Sequence, residues 1–116
     1  MRLYGLAPVS FADEQGFNGK ISRCIDRALD SLGAGVRQSL YFQIERKFHV
    51  QKGELEHKPS EVIEHLQEIL GPTGSSFVEK LLIREIRKEF DLEFEQEQSL
   101  DSVIAHARRK FLDVSK

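Results

Sequence analysis

The stretch Leu70-Gly71-Pro72-Thr73-Gly74-Ser75-Ser76 (LGPTGSS) lies between two apolar, helix-like runs, and its reading decides the fold. Two glycines, a proline and three hydroxyls ahead of a helix have the composition of a phosphate cradle. A P-loop, however, follows a buried strand, keeps G-x-x-x-x-G-K-[ST] spacing and carries a lysine that reaches the phosphates. Here Gly71 and Gly74 are three apart, and the nearest following lysine, Lys80, is six residues past Gly74, inside the next helix. As a bend between two helices, every residue has a role. Gly71 ends one helix, Pro72 prevents its continuation, and Ser75 or Ser76 caps the next. The exposed amides of that next helix offer, at most, the weak anion site found at any helix N-terminus.

Working outward from this bend, helical periodicity extends both ways. Downstream, "SSFVEKLLIREIRKEF" is the most apolar run. Val78, Leu82, Ile86 and Phe90 form one ridge, with Phe77, Leu81 and Ile83 extending the apolar surface, so this helix is expected at the centre of the core. Upstream, Val62, Ile63, Leu66, Ile69 and Leu70 make the face of a helix that starts at Pro59-Ser60. Proline suits a first helical turn, and Glu61 and Glu64 suit the positive end of the helix dipole. Before a polar connection, "HVQKGELEHKP", the residues Val36, Leu40, Ile44 and Phe48 mark a helix at four-residue spacing, widened by Tyr41. Gly33-Ala34-Gly35 separates it from a helix starting at Lys20, in which Ile21, Cys24, Ile25, Ala28, Leu29 and Leu32 recur at three- and four-residue steps. Asn18 or Ser22 is the expected cap. At the far end, "DLEFEQEQSL" reads as an extended acidic connector. A last helix follows, capped by Ser99 or Asp101, with Val103, Ile104, Ala107, Phe111 and Leu112 apolar.

The reading is therefore an all-α chain: a small helical bundle of four main helices plus a C-terminal helix, with an irregular N-terminal arm. The boundaries are 1–19 for the arm, 20–92 for the helical core, and 93–116 for the acidic connector and last helix. Gly5, Pro8, Gly16 and Asn18-Gly19 interrupt periodicity in the arm, yet Leu3, Tyr4, Leu6, Val9 and Phe11 are too apolar for an inert tail.

At 116 residues, with 40% apolar and 31% charged side chains, the chain fits one globular domain. The net charge of −2 provides no overall attraction to nucleic acid. One cysteine, Cys24, excludes an intrachain disulfide and a cysteine-based zinc site, in keeping with a reducing cytoplasm. No apolar run approaches a membrane span, and the N-terminus is a poor match to a signal peptide. The expectation is a cytoplasmic protein.

Several constellations invite a chemical reading. Glu61, His65 and Glu68 share a helical face, but no H-E-x-x-H pair supports a metal, and a solvated face explains them. Lys80, Arg84 and Lys88 form a basic stripe with Arg87 beside it, and Arg108, Arg109 and Lys110 form a second cluster that the acidic connector could approach. Cys24 falls in line with Ile21 and Ala28 as a small core residue. No cofactor and no catalytic set is indicated.

The segment from about Ala28 to Leu92 carries a likeness. "ALDSLGAGVRQSLYFQIERKF" followed by "KPSEVIEHLQEILGPTGSSFVEKLLIREIRKEF" resembles the fifth type of the archaeal "Nitro output domain", a small helical signalling output domain of nitrifying archaea. Three features carry it: the Leu-Gly then Val-Arg-Gln-Ser-Leu-Tyr entry, the Lys-Pro-x-Glu helix start, and the Leu-Gly-Pro bend. The resemblance implies an archaeal regulatory module and supplies no catalytic residues. It covers a little over half the chain. Residues 1–27 are too short for a receiver domain, and 93–116 add a further helix, which also admits a stand-alone adaptor.

The expected function is a non-enzymatic protein-interaction or signalling output module, with Leu3, Tyr4, Leu6, Phe11, Phe111 and Leu112 as apolar anchors. A homodimer sharing the arm or last helix is its simplest form. The alternative is nucleic-acid binding through Lys80, Arg84, Arg87 and Lys88, or through Arg108, Arg109 and Lys110. An enzyme or small-ligand binder ranks last, because it needs a pocket of convergent polar groups.

Overall fold

A computed structural model describes residues 11–51, 54–93 and 99–115. Among the described residues four α-helices make up the fold: α1 (Phe11–Asp30), α2 (Val36–Lys47), α3 (Pro59–Phe90) and α4 (Leu100–Ser115), with one 3₁₀ turn at Glu54–His57 before α3. No strand occurs among the described residues. The count is four where the sequence pattern gives five, because the two helices expected on either side of the Leu-Gly-Pro bend form a single kinked element.

The break in α3 is one residue long. Gly71 adopts φ 75° and ψ 179°, a conformation essentially confined to glycine. Pro72 restarts the helix at once. It lacks an N–H and its fixed φ suits a first helical position, while its ring pushes the preceding residue to extended ψ. Ser75 and Ser76 therefore lie inside the helix and not at its cap. The bend is sharp: Gln67 Nε2 donates to Glu79 Oε2 at 3.0 Å. Twelve residues of straight helix would separate these two by about 18 Å. α3 is thus a V whose arms face each other through Leu66, Val78 and Leu82, all buried.

α1 begins nine residues before the expected Lys20, so residues 11–19 are helical and not an irregular arm, and Asn18 and Ser22 lie within the helix. Gly16 and Asn18-Gly19 weaken helix propensity, Gly by about 1 kcal/mol each relative to Ala. Tertiary contacts offset this. Phe17 is fully buried, and Gly16 leaves room for Phe111, whose Cζ would lie 3.4 Å from a Cβ at that position. Asp13 and Glu14 in the first turn complement the dipole. Phe17, Ile21, Cys24, Ile25, Ala28 and Leu29 form the inner stripe of α1, each essentially inaccessible. A large apolar side chain buried in this way contributes about 1.5–3 kcal/mol.

α1 and α3 each touch every other element. The ridge Val78, Leu82, Ile86 and Phe90 is buried as its spacing predicts, as are Leu40 and Ile44 of α2. Two connections behave differently from a plain polar linker. Leu55, within the 3₁₀ turn, is buried and plugs the base of the core. Asp91 takes a left-handed conformation (φ 54°) that ends α3 and turns Leu92 inward. Residues 94–98, the centre of the expected acidic connector, lie outside the described residues. Ser99 caps α4, its Oγ accepting from the Ser102 N–H at 3.2 Å.

Candidate functional site

Charge is sorted to opposite sides of the second arm of α3. Between Pro72 and Phe90 the acids are Glu79, Glu85 and Glu89, all half-buried toward the molecule. Glu79 accepts from Gln67 across the kink. Glu85 and Glu89 are held by α1: Arg27 reaches Glu85 Oε1 at 3.2 Å and Glu89 Oε1 at 2.7 Å, and Lys20 reaches Glu89 Oε2 at 3.1 Å. Burial pushes the Glu89 carboxyl upward, but the hydrogen bonds from Arg27 and Lys20 together outweigh it and leave it below its ordinary value. Arg27 is raised, chiefly by its bond to Glu89. These pairs are partly exposed, so each is worth at most about 1 kcal/mol. Their main effect is directional, because they draw Glu85 and Glu89 toward α1.

At 100° per residue, the opposite arc of the same arm carries Thr73, Ser76, Phe77, Lys80, Leu81, Arg84, Arg87 and Lys88, and no acid. Lys80 and Arg84 are exposed and make no ion pair among the described residues. Lys88 is two-thirds exposed and lies 3.5 Å from Glu85 at the edge of the arc. Arg87 is half-buried. Phe77, expected to widen the core, instead stands 56% exposed among these cations. The ridge that faces α1 begins one residue later, at Val78, and leaves Phe77 on the outer side.

The second exposed aromatic is Phe42 of α2, at 57%. It borders an open depression of about 540 Å³ together with Gln43, Arg46, Lys47 and Ile69. The Arg46 guanidinium stands 5.6 Å from the Phe42 ring centroid, and Lys47 Nζ stands 5.7 Å from that of Phe48. Sequence reasoning did not single out Phe42. The signal was present, since it sits midway between Leu40 and Ile44 and hence on the opposite face of the helix from the 36–40–44–48 stripe.

The expected anchors fall elsewhere. Leu3, Tyr4 and Leu6 lie outside the described residues, as does the side chain of Phe11, whose backbone opens α1. Phe111 packs inward: its ring centroid is 5.7 Å from that of Phe17 and 6.3 Å from that of Phe90, edge-on to the latter, and Phe17 and Phe90 are 5.5 Å apart. This aromatic trio joins α1, α3 and α4, so Phe111 serves the core. Leu112 is half-buried. Arg108 pairs with Glu14 and covers the Phe17 ring at 4.7 Å, which makes it a tie between α4 and α1. Lys110 donates to the Asp91 carbonyl at 2.6 Å, while Arg109 is exposed. The second basic cluster is therefore largely taken up by contacts within the molecule.

Chemistry-bearing groups are scattered. Cys24 is fully buried, and desolvation pushes its thiol up to about 11 against a partial opposing effect from Arg27. His65 stacks on Phe48 with centroids 3.8 Å apart. Among the described residues no group of three His, Cys, Asp or Glu side chains could hold a metal ion, and no helix is long and apolar enough to cross a membrane. Between α1 and the arms of α3 lies a void of about 10 Å³, the lower limit for one water molecule. Comparison with protein-family models, with curated proteins and with solved structures finds no match to this chain.

Proposed function

We propose that the chain is a non-enzymatic protein-interaction module of the cytoplasm, with the archaeal regulatory role that the resemblance to the Nitro output domain implies. One observation carries the reading: Phe42 stands exposed at the edge of an open depression beside Ile69, with Arg46 and Lys47 around it. Aromatic and arginine side chains dominate the energetics of protein interfaces. The simplest partner is a second copy of the chain.

Light scattering coupled to size-exclusion chromatography tests this, over a wide concentration range, on the full chain, a Phe42→Ser variant and a version lacking residues 1–10. A dimer weakened by Phe42→Ser is expected. A dimer broken only by the truncation moves the interface to the segment holding Leu3, Tyr4 and Leu6. A chain that stays monomeric throughout rejects the homodimer.

A further inference from the structure

We propose that the outer face of the second arm of α3 binds single-stranded nucleic acid. Lys80, Arg84 and Lys88 succeed one another at four-residue steps, about 6 Å apart along the helix. Phe77 lies at one end of this row, exposed, with the hydroxyls of Thr73 and Ser76 alongside.

Charge complementarity identifies the occupant. Solvated helix faces ordinarily mix signs, because cations find acids three or four residues away. Here no acid stands three or four residues from Lys80 or Arg84, and Glu85, three residues before Lys88, is shared between Lys88 and Arg27 of α1, so the outer arc is left cationic. The whole-chain charge of −2 conceals this segregation. Lysine is depleted from the centres of protein interfaces, and this face carries four lysines and arginines against two apolar residues, Phe77 and Leu81, which favours a phosphate backbone over a protein. The exposed phenyl ring selects single strands. Unpaired bases stack on aromatic side chains, whereas the bases of a duplex are already stacked on one another. Phosphates lie along the cationic row, and a base stacks on Phe77. This face is separate from the Phe42 depression, so either reading can fail without the other.

The test is fluorescence anisotropy with a short fluorescein-labelled oligouridine, on the full chain and on Phe77→Ala and the double variant Lys80→Glu/Arg84→Glu. All three positions are exposed, and thermal melts confirm that the variants fold. The wild type is expected to bind at low salt, with a slope of log affinity against log salt of about −2 for three phosphate contacts. The double variant should lose at least tenfold, and Phe77→Ala about fivefold or more. Absence of binding at low salt by the folded wild type overturns the proposal, as does binding that the double variant leaves unchanged. Displacement by polyglutamate as effective as by unlabelled oligouridine, with Phe77→Ala neutral, also overturns it and marks the face as a site for acidic proteins.

Discussion

Gly71 is the residue on which the shape of the molecule turns. A Cβ at this position would meet nothing within 4 Å, so space does not select glycine here; the positive φ does. Gly71→Ala is expected to cost about 1–3 kcal/mol, read as a lowered urea midpoint with an unchanged slope. Gly74 is constrained differently. A Cβ there would come within 3.1 Å of the Leu70 Cβ, which the backbone fixes in place. Cys24 provides a second prediction at this scale. Its folded pKa of about 11 lies above the ordinary 9.0. Its contribution to stability is therefore complete below pH 9 and is lost as pH rises from about 9 to 11, because the unfolded chain deprotonates first. Stability curves of the wild type and Cys24→Ala should converge across that interval. The native thiol should also resist alkylation at neutral pH until the chain is unfolded.

Among the elements, α1, α3 and α4 meet through Phe17, Phe90 and Phe111. Phe111→Ala removes one member of this trio and should cost about 2–3 kcal/mol, less than a fully buried phenylalanine because the ring is only partly covered. Phe42→Ala, on the exposed face of α2, should change stability by no more than about 0.5 kcal/mol. Chemical denaturation of both variants checks the contrast, and equal losses would contradict the burial described. The trio also shows where sequence reasoning reached its limit. The stripes of α2 and of both arms of α3, the start at Pro59 and Ser99 as one of two candidate caps could be read because periodicity and capping chemistry are local. The first two turns of α1 could not. Gly16 and Asn18-Gly19 are turn-forming by local preference, and what favours a helix through them is the contact of Gly16 and Phe17 with Phe111 and of Phe17 with Arg108, about ninety residues away. Leu55 escaped notice for a related reason: a single apolar residue in a polar connection has no period to reveal it.

Across the whole molecule, α1 and α3 reach every other element, so the described residues should unfold together in one transition. A variant that loosens the α1–α3 seam should lower the stability of α2 and α4 alike, measured as coincident helical and aromatic signals. The candidate surfaces were only half legible at this scale. The basic row could be seen in the sequence, and so could the lack of an acid three or four residues from Lys80 and Arg84; the pairing of Glu85 and Glu89 with Arg27 and Lys20 of another helix could not. Phe111 and Arg108 had the composition of surface anchors and were taken into contacts that no spacing discloses.

The V of α3 has a consequence for the backbone. Pro72 has no N–H, so the Glu68 carbonyl lacks its partner one turn on, and the ladder of amide bonds that makes a helix one cooperative unit is interrupted there. The two arms are continuous in chain but separate in cooperativity. Amide hydrogens at 73 and 74, in the first turn after the gap, should exchange with solvent faster than those of either arm. Each arm then has its own route to local opening, and the molecule can loosen one while the other stays packed on α1.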